Sequence, residues 1–170
     1  MLTWFYCLDI IDVVLWVAAA SMVFLGLKVV WGERRLWRPV VCCLTMAWLL
    51  VIGYVTLANR GSEVQTGVRL VPFYSYYLAF SGINEELLRS CFMNVVLFYP
   101  AGLLVGAIWL PERKVWKRIL FLAVVGCGVS VSVELLQYFR QLGLMEVDDV
   151  IHNTLGMAIG AAVGGVRYDR

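Results

Sequence analysis

Seven polar or ionisable side chains that could support binding or acid/base chemistry are concentrated between two apolar runs near the end of the chain. An ionisable side chain in such a run is costly beside lipid unless it faces a partner or a wet cavity, so it indicates a functional site. The sequence therefore predicts a hydrophilic site, open to the exterior, where the final helices meet. The residues are Glu134, Gln137, Arg140, Asp148, Asp149, His152 and Asn153, in the stretch from Cys127 to Gly164.

In the first of these runs, Ser130, Glu134 and Gln137 lie at i, i+4 and i+7, so a helix places them on one face. Arg140 extends this series near the outer end. A Glu134–Arg140 or Glu134–His152 pair would satisfy the carboxylate and would be a purely structural use of it. The alternative is that Glu134 serves a binding or catalytic site.

The second run begins VDDVIHNTLG. Asp149, His152 and Asn153 lie at i, i+3 and i+4 and share another helical face. Asp148 or Asp149 is also suited to cap the start of this helix. Both uses of the acidic pair, capping and function, are left open by the spacing.

Small residues predict close helix contacts on the same faces. Gly156, Gly160 and Gly164 follow a small-xxx-small pattern below the polar trio, which is typical of packed membrane helices.

An earlier run repeats this pattern with a period of four residues. It contains Asn94, Phe98, Gly102 and Gly106, and Pro100 predicts a kink beside them. The amide of Asn94 in an apolar setting needs a partner.

No cofactor or metal site is expected. His152 is the single histidine, and no nucleophile elbow or phosphate-binding loop is present. The odd number of cysteines without metal-ligand spacing predicts small buried apolar side chains. They are Cys7, Cys42, Cys43, Cys91 and Cys127.

The composition, 62% hydrophobic and 15% charged over 170 residues, exceeds what a soluble core of this size buries. The predicted fold is an all-α, polytopic membrane helix bundle of about five transmembrane helices. The first run lacks the basic start and cleavage site of a signal peptide and is kept as a span. The predicted spans are Phe5 to Val30, Pro39 to Ala58, Cys91 to Leu110, Ile119 to Tyr138 and Val150 to Val166.

The whole chain is expected to form one domain with three parts: two N-terminal spans in residues 1–58, an extracellular loop in 59–90, and a three-helix module with a polar core in 91–170. In the loop, VPFYSYYLAF predicts an aromatic segment lying at the membrane interface between the second and third spans.

Positive charges indicate the orientation. Ten of the fourteen Lys and Arg residues, mainly in GERRLWR and PERKVWKR, fall on one side. The positive-inside rule places the C-terminus in the cytoplasm and the N-terminus outside a bacterial cytoplasmic membrane. The polar site then faces outward, and no basic block suited to nucleic acid is present.

Four ordered motifs together resemble the VanZ-like family of small bacterial membrane proteins: Pro72–Phe73, NVVLFYPAG from Asn94, SVSVELLQ from Ser130 and VDDVIHNTLG from Val147. The resemblance spans about residues 60–164. It implies a role like that of the protein for which the family is named, low-level resistance to teicoplanin, a glycopeptide antibiotic with a lipid tail. Many members carry a basic residue where this chain has Gly143, so the resemblance does not extend to a basic anion-binding role at this spot unless Arg140 or Arg69 substitutes. The polar positions that match are Asn94, Ser130, Glu134, Gln137, Asp149 and Asn153.

Two hypotheses follow from the residues and the resemblance. In the first, a non-catalytic site recognises a membrane lipid or lipid-tailed antibiotic. In the second, a membrane-embedded enzyme modifies an envelope lipid or lipid-linked glycan, with Glu134 or Asp149 as acid/base and His152 beside them. A homo-oligomer or a membrane partner is compatible with either. The candidate ligand-binding residues are Arg69, Asn94, Ser130, Glu134, Gln137, Arg140, Asp149, His152 and Asn153.

Overall fold

The computed structural model describes residues 10–31, 35–58, 67–83, 86–108 and 114–165. The chain forms two compact units, Met1–Arg38 and Pro39–Arg170. The first unit contains helix α1, Ile10–Trp31, whose sequence is apolar along its length. The predicted division at residues 58 and 90 stays a prediction.

The described part of the chain is dominated by helices, which confirms the all-α prediction. Helix α2 spans Trp37–Gly53 and continues as a π-helical turn, Tyr54–Ala58. The elements that follow are strand β1 (Gly67–Arg69), helix α3 (Tyr74–Phe80), helix α4 (Glu86–Ile108), helix α5 (Val115–Phe139), strand β2 (Leu144–Glu146) and helix α6 (Val147–Gly164).

Among the residues that the structure describes, three helices are long and apolar enough to cross a membrane. They are Trp37–Leu57, Glu86–Ile108 and Val115–Phe139, and they correspond to the second, third and fourth predicted spans. Helices α1 and α6 lie in the other two predicted spans, so the total of five stays a prediction. The predicted ends at Phe5, Leu110 and Val166 lie outside the described residues.

Helices α4 and α6 make the most extensive contact in the bundle, and their glycines bring the two backbones together. A Cβ on any of the α6 glycines would overlap a backbone carbonyl of α4, closer than real Cβ atoms approach. The contacts advance in the same direction along both chains, so the helices are parallel. This confirms the predicted glycine packing surface. The pairs are Gly156 with Val95, Gly160 with Tyr99 and Gly164 with Leu103.

Helix α5 runs antiparallel beside α6. A Cβ on Gly126 would meet the Met157 side chain at 2.7 Å, whereas Ser130, one turn later in α5, contacts Asn153, one turn earlier in α6. The apolar core lies among the helices at this level. It comprises Ile52, Phe98, Ala101, Leu122, Met157 and Ala161.

Two short strands, which the sequence did not predict, close the polar end of the bundle. Helix α5 ends in a Schellman-type turn, with Gln141 left-handed (φ 55°) and the Leu142 N–H donating to the Gln137 carbonyl at 2.9 Å. This turn leads into β2, which pairs in parallel with β1, Gly67 opposite Leu144. The pairing joins segments far apart in sequence, so local patterning carries no signal for it.

Arg118, which belongs to the basic PERKVWKR stretch, is only 1% exposed. Its Nε donates to the Ala161 carbonyl at 3.1 Å. That carbonyl is one of the last four in α6, and such carbonyls have no N–H partner further along their own helix. Arg118 therefore caps α6 at the end of the bundle opposite the polar residues.

Candidate functional site

The polar face of α5 is buried as one surface. Ser130, Glu134 and Gln137 are 0%, 1% and 0% exposed, which confirms that they share one face. The Glu134 Oε2 accepts a hydrogen bond from the Glu146 N–H at 3.0 Å. This bond ties α5 to the residue that precedes α6.

Neighbouring helices contribute the next polar contacts. The Asn153 Nδ2 donates to the Ser130 Oγ at 2.8 Å and so links α6 to α5. The Gln137 Nε2 donates to the Thr56 carbonyl at 3.0 Å, in the π-helical turn that follows α2. The second predicted span therefore takes part in the site, although its own sequence shows no polar stripe.

Four buried polar atoms in this region have no hydrogen-bond partner within the described protein. An unpaired buried polar group costs about 1–3 kcal/mol, so such atoms normally meet water or a ligand. The atoms are Asn94 Nδ2, Gln137 Oε1, Asn153 Oδ1 and Thr154 Oγ1.

Asp148 fastens the interfacial segment to the start of α6. Its carboxylate is 2% exposed and accepts the backbone N–H groups of Phe73, at 2.5 Å, and Ser75, at 2.9 Å. Asp148 therefore caps the start of α3. The sequence had allowed one of the two aspartates to cap the start of its own helix, α6, which is a different role. Asp149 is partly exposed, and its role in ligand binding stays a prediction.

His152 is held through both ring nitrogens. Its Nδ1 bonds the Asp148 carbonyl, which can only accept, so Nδ1 carries the proton. In the neutral ring, Nε2 then accepts a hydrogen bond from the Tyr76 hydroxyl, with 2.7 Å between the hydroxyl oxygen and Nε2. A metal at either nitrogen would have to displace one of these bonds, and within the described residues no group of three His, Cys, Asp or Glu side chains is placed to hold one.

Removing the Tyr76 hydroxyl should change the pH dependence of stability. Burial raises the pKa of this hydroxyl above its ordinary 10.0, and Cys91 and Asp148 act in the same direction. The folded protein therefore holds this proton more tightly than the unfolded chain, and the stability it contributes is lost as the pH rises above 10. Tyr76→Phe should lower neutral-pH stability by about 1 kcal/mol and flatten its decline between about pH 9 and pH 11. Denaturant unfolding across that range measures both effects, and parallel curves would contradict the assignment.

The two basic residues expected at the site are placed differently. The Arg69 Nη1 pairs with the Glu146 Oε1 at 2.6 Å, and its guanidinium lies 5.2 Å from the centre of the Tyr74 ring. Arg140 is the exposed C-terminal cap of α5. One guanidinium is therefore neutralised by a carboxylate, and the other lies outside the buried cluster.

An exposed aromatic surface adjoins the polar cluster. Phe73, Tyr77 and Phe80, in and just before α3, are 57%, 64% and 80% exposed. Leu70, Val71 and Ile83 flank them and are exposed as well. This arrangement fits the predicted interfacial segment, since aromatic side chains favour the boundary between head groups and acyl chains.

Sequence reasoning missed several members of the cluster. Tyr76 lies in the aromatic segment VPFYSYYLAF and was not distinguished from its neighbours, and Glu146 was not among the candidate residues. Nothing in the sequence pattern singled out Thr56 or Trp48. The Trp48 Nε1 donates to the Leu97 carbonyl at 2.8 Å, in the helical turn that contains Pro100. The i, i+4 spacing of Asp148 and His152 was a usable signal that these two side chains share a face.

Together, the fold and the site define a polytopic integral membrane protein whose helices enclose a hydrogen-bonded polar core. The chain matches the family model described as VanZ/LLP1 over residues 39–166, and it belongs to that family. The matched region coincides with the second compact unit. No curated protein and no solved structure matches the chain.

Proposed function

We propose that this VanZ-like membrane protein gives low-level resistance to teicoplanin-type lipoglycopeptides through an outward-facing polar site that recognises an amphiphile, either an envelope lipid or the lipid-tailed antibiotic itself. It would act in the bacterial cytoplasmic membrane, with its N-terminus outside and its C-terminus in the cytoplasm.

The observation that carries the proposal is the polar core with unpaired atoms beside an exposed aromatic segment. The core offers amide, hydroxyl and carboxylate groups to a polar head. The aromatic side chains of α3 offer a surface to a lipid tail at the interface. An amphiphile needs both kinds of contact next to each other.

Cells that express the protein should tolerate more teicoplanin than cells without it, with a smaller effect on vancomycin, a glycopeptide without such a tail. Glu134→Ala should reduce the teicoplanin effect to that of cells without the protein, because the Glu146 N–H loses its acceptor. Glu134→Gln should retain part of it, since its amide oxygen can accept the same bond. Growth inhibition measured at matched protein levels is the readout.

Ser132→Ala is the matched control, because Ser132 is exposed on the same helix and its hydroxyl bonds its own Gly128 carbonyl at 2.8 Å. It should behave as the wild type. Complete loss of protection in Glu134→Gln, at unchanged protein level, would count against recognition by hydrogen bonding.

That outcome would favour the alternative, a membrane-embedded enzyme acting on an envelope lipid or lipid-linked glycan with Glu134 or Asp149 as acid/base. The observation in favour of it is that the Tyr76 hydroxyl and the His152 ring form a hydrogen-bonded pair at the edge of the site, with the ring held by the backbone carbonyl of Asp148. Lipid extracts from cells with and without the protein test it, and identical envelope lipids, precursors and teichoic polymers would refute it.

A further inference from the structure

Asn94 and Asn153 present complementary unpaired atoms. Within the described residues, the Asn94 Nδ2 is a donor without an acceptor, and the Asn153 Oδ1 is an acceptor without a donor. Asn153 is 3% exposed, and its Nδ2 is already used by Ser130. The remaining oxygen is therefore available to a third group.

The packing of α4 against α6 places the two asparagines at nearly the same height. Gly156 lies against Val95. Asn153 lies about 4.5 Å before Gly156 along its helix, and Asn94 about 1.5 Å before Val95, so in these parallel helices they differ by about 3 Å in height. Each belongs to the stripe that faces the other helix, Asn153 with Gly156 and Asn94 with Gly102. They do not bond each other, and one atom between them would satisfy both.

That atom must accept a hydrogen bond from the Asn94 Nδ2 and donate one to the Asn153 Oδ1. A hydroxyl oxygen does both, whereas a phosphate or carboxylate oxygen only accepts and an ammonium only donates. An anionic head group would also find the Arg69 guanidinium already paired with Glu146.

The depth of the pair suits a lipid head group. Asn153 lies about 9 Å below the start of α6, and Asn94 about 12 Å below the start of α4. The head-group region on one side of a bilayer is about 5–8 Å thick, so with the helix starts at its outer edge the pair lies a few ångströms below its boundary with the acyl chains. Asn94 is partly exposed, whereas its Nδ2 and the Asn153 Oδ1 are both buried, so binding requires the Asn94 side chain to rotate toward the ligand.

We infer that Asn94 and Asn153 bind a hydroxyl of an uncharged lipid head group, a sugar or glycerol hydroxyl, between α4 and α6. This rests on the proposed amphiphile recognition and names the chemical class that the site takes.

Thermal unfolding of the purified full-length protein in detergent, with added lipid, tests the inference without antibiotic. Monoglucosyl diacylglycerol should stabilise the wild type more than phosphatidylcholine with the same acyl chains, and more than phosphatidylglycerol. Asn94→Leu should weaken the apparent affinity for the glucolipid about tenfold, as expected for one lost hydrogen bond. Without lipid it should unfold at or above the wild-type temperature, since the unpaired amide is gone. Asn94→Ala, which needs no extra room, gives the same test if Leu does not fit.

Ser132→Ala should keep the full preference for the glucolipid. Equal stabilisation by the three lipids, or an unchanged preference in Asn94→Leu and Asn94→Ala, would show that an internal water fills the position and would overturn the inference. Stronger stabilisation by phosphatidylglycerol would overturn the uncharged class. Because the assay measures lipid binding, a protein that binds glucolipid but does not protect cells refutes the proposed function alone. A protein that protects cells but shows no glucolipid preference refutes this inference alone.

Discussion

Gly160→Ala is expected to destabilise the protein by about 3 kcal/mol or more, because the added methyl group has no room between two backbones. Its Cβ would overlap the Tyr99 carbonyl and would lie 2.6 Å from the Leu103 nitrogen and 3.0 Å from the Gly102 carbonyl carbon. Backbone atoms cannot rotate away as a flexible side chain can, so α4 and α6 would have to separate. Thermal unfolding in detergent measures the loss.

Gly128→Ala is the matched control. Gly128 lies in α5, and a Cβ there meets nothing within 4 Å. The same chemical change should be neutral or stabilise by up to about 1 kcal/mol, since alanine favours the helix. Equal destabilisation by the two substitutions would show that the close contact of α4 with α6 is not the cause.

Asp148→Ala is expected to release α3 from the bundle and to lower the free energy of unfolding by about 3 kcal/mol, because two backbone N–H groups lose a charged acceptor. Phe73 adds to this effect. It adopts a left-handed conformation, φ 61° and ψ 19°, which is unusual for a bulky residue and which the Asp148 bond holds in place. Hydrogen exchange at the amides of Phe73 and Ser75 should accelerate strongly.

Asp148→Asn keeps one carbonyl oxygen and should give an intermediate result. Tyr77→Phe alters a side chain of the same helix that is 64% exposed, and it should leave exchange at the wild-type rate. If the two amides of Asp148→Ala exchanged no faster than those of the wild type, the carboxylate would not be what holds α3.

The features that the sequence predicted are those encoded by local spacing. Apolar runs of span length became helices α2, α4 and α5, and the i, i+4, i+7 series from Ser130 to Gln137 became one buried face. The glycine stripes became the α4–α6 contact, because a period of four residues keeps them on one side of a helix.

The remaining features depend on contacts between distant segments. Pairing of β1 with β2 joins Arg69 to Glu146 across 77 residues, and it decides that Arg69 meets a carboxylate. Of the two adjacent aspartates, Asp148 is the buried one. The extended conformation of Glu146, through which the chain enters α6, determines which of the two faces the bundle. Spacing along one helix specifies neither.

The parallel arrangement of α4 and α6 has an electrostatic consequence. Both helices begin at the same end of the bundle, and each helix start carries a partial positive charge equivalent to about half an elementary charge, from its unpaired N–H groups. Glu86, Asp148 and Asp149 lie in these first turns, and Glu134 accepts an N–H beside them. The acidic residues at this end are thus balanced in part by the field of the backbone itself. The carboxylates at this end therefore need fewer cationic partners, and one of them, Glu146, is matched to the Arg69 guanidinium.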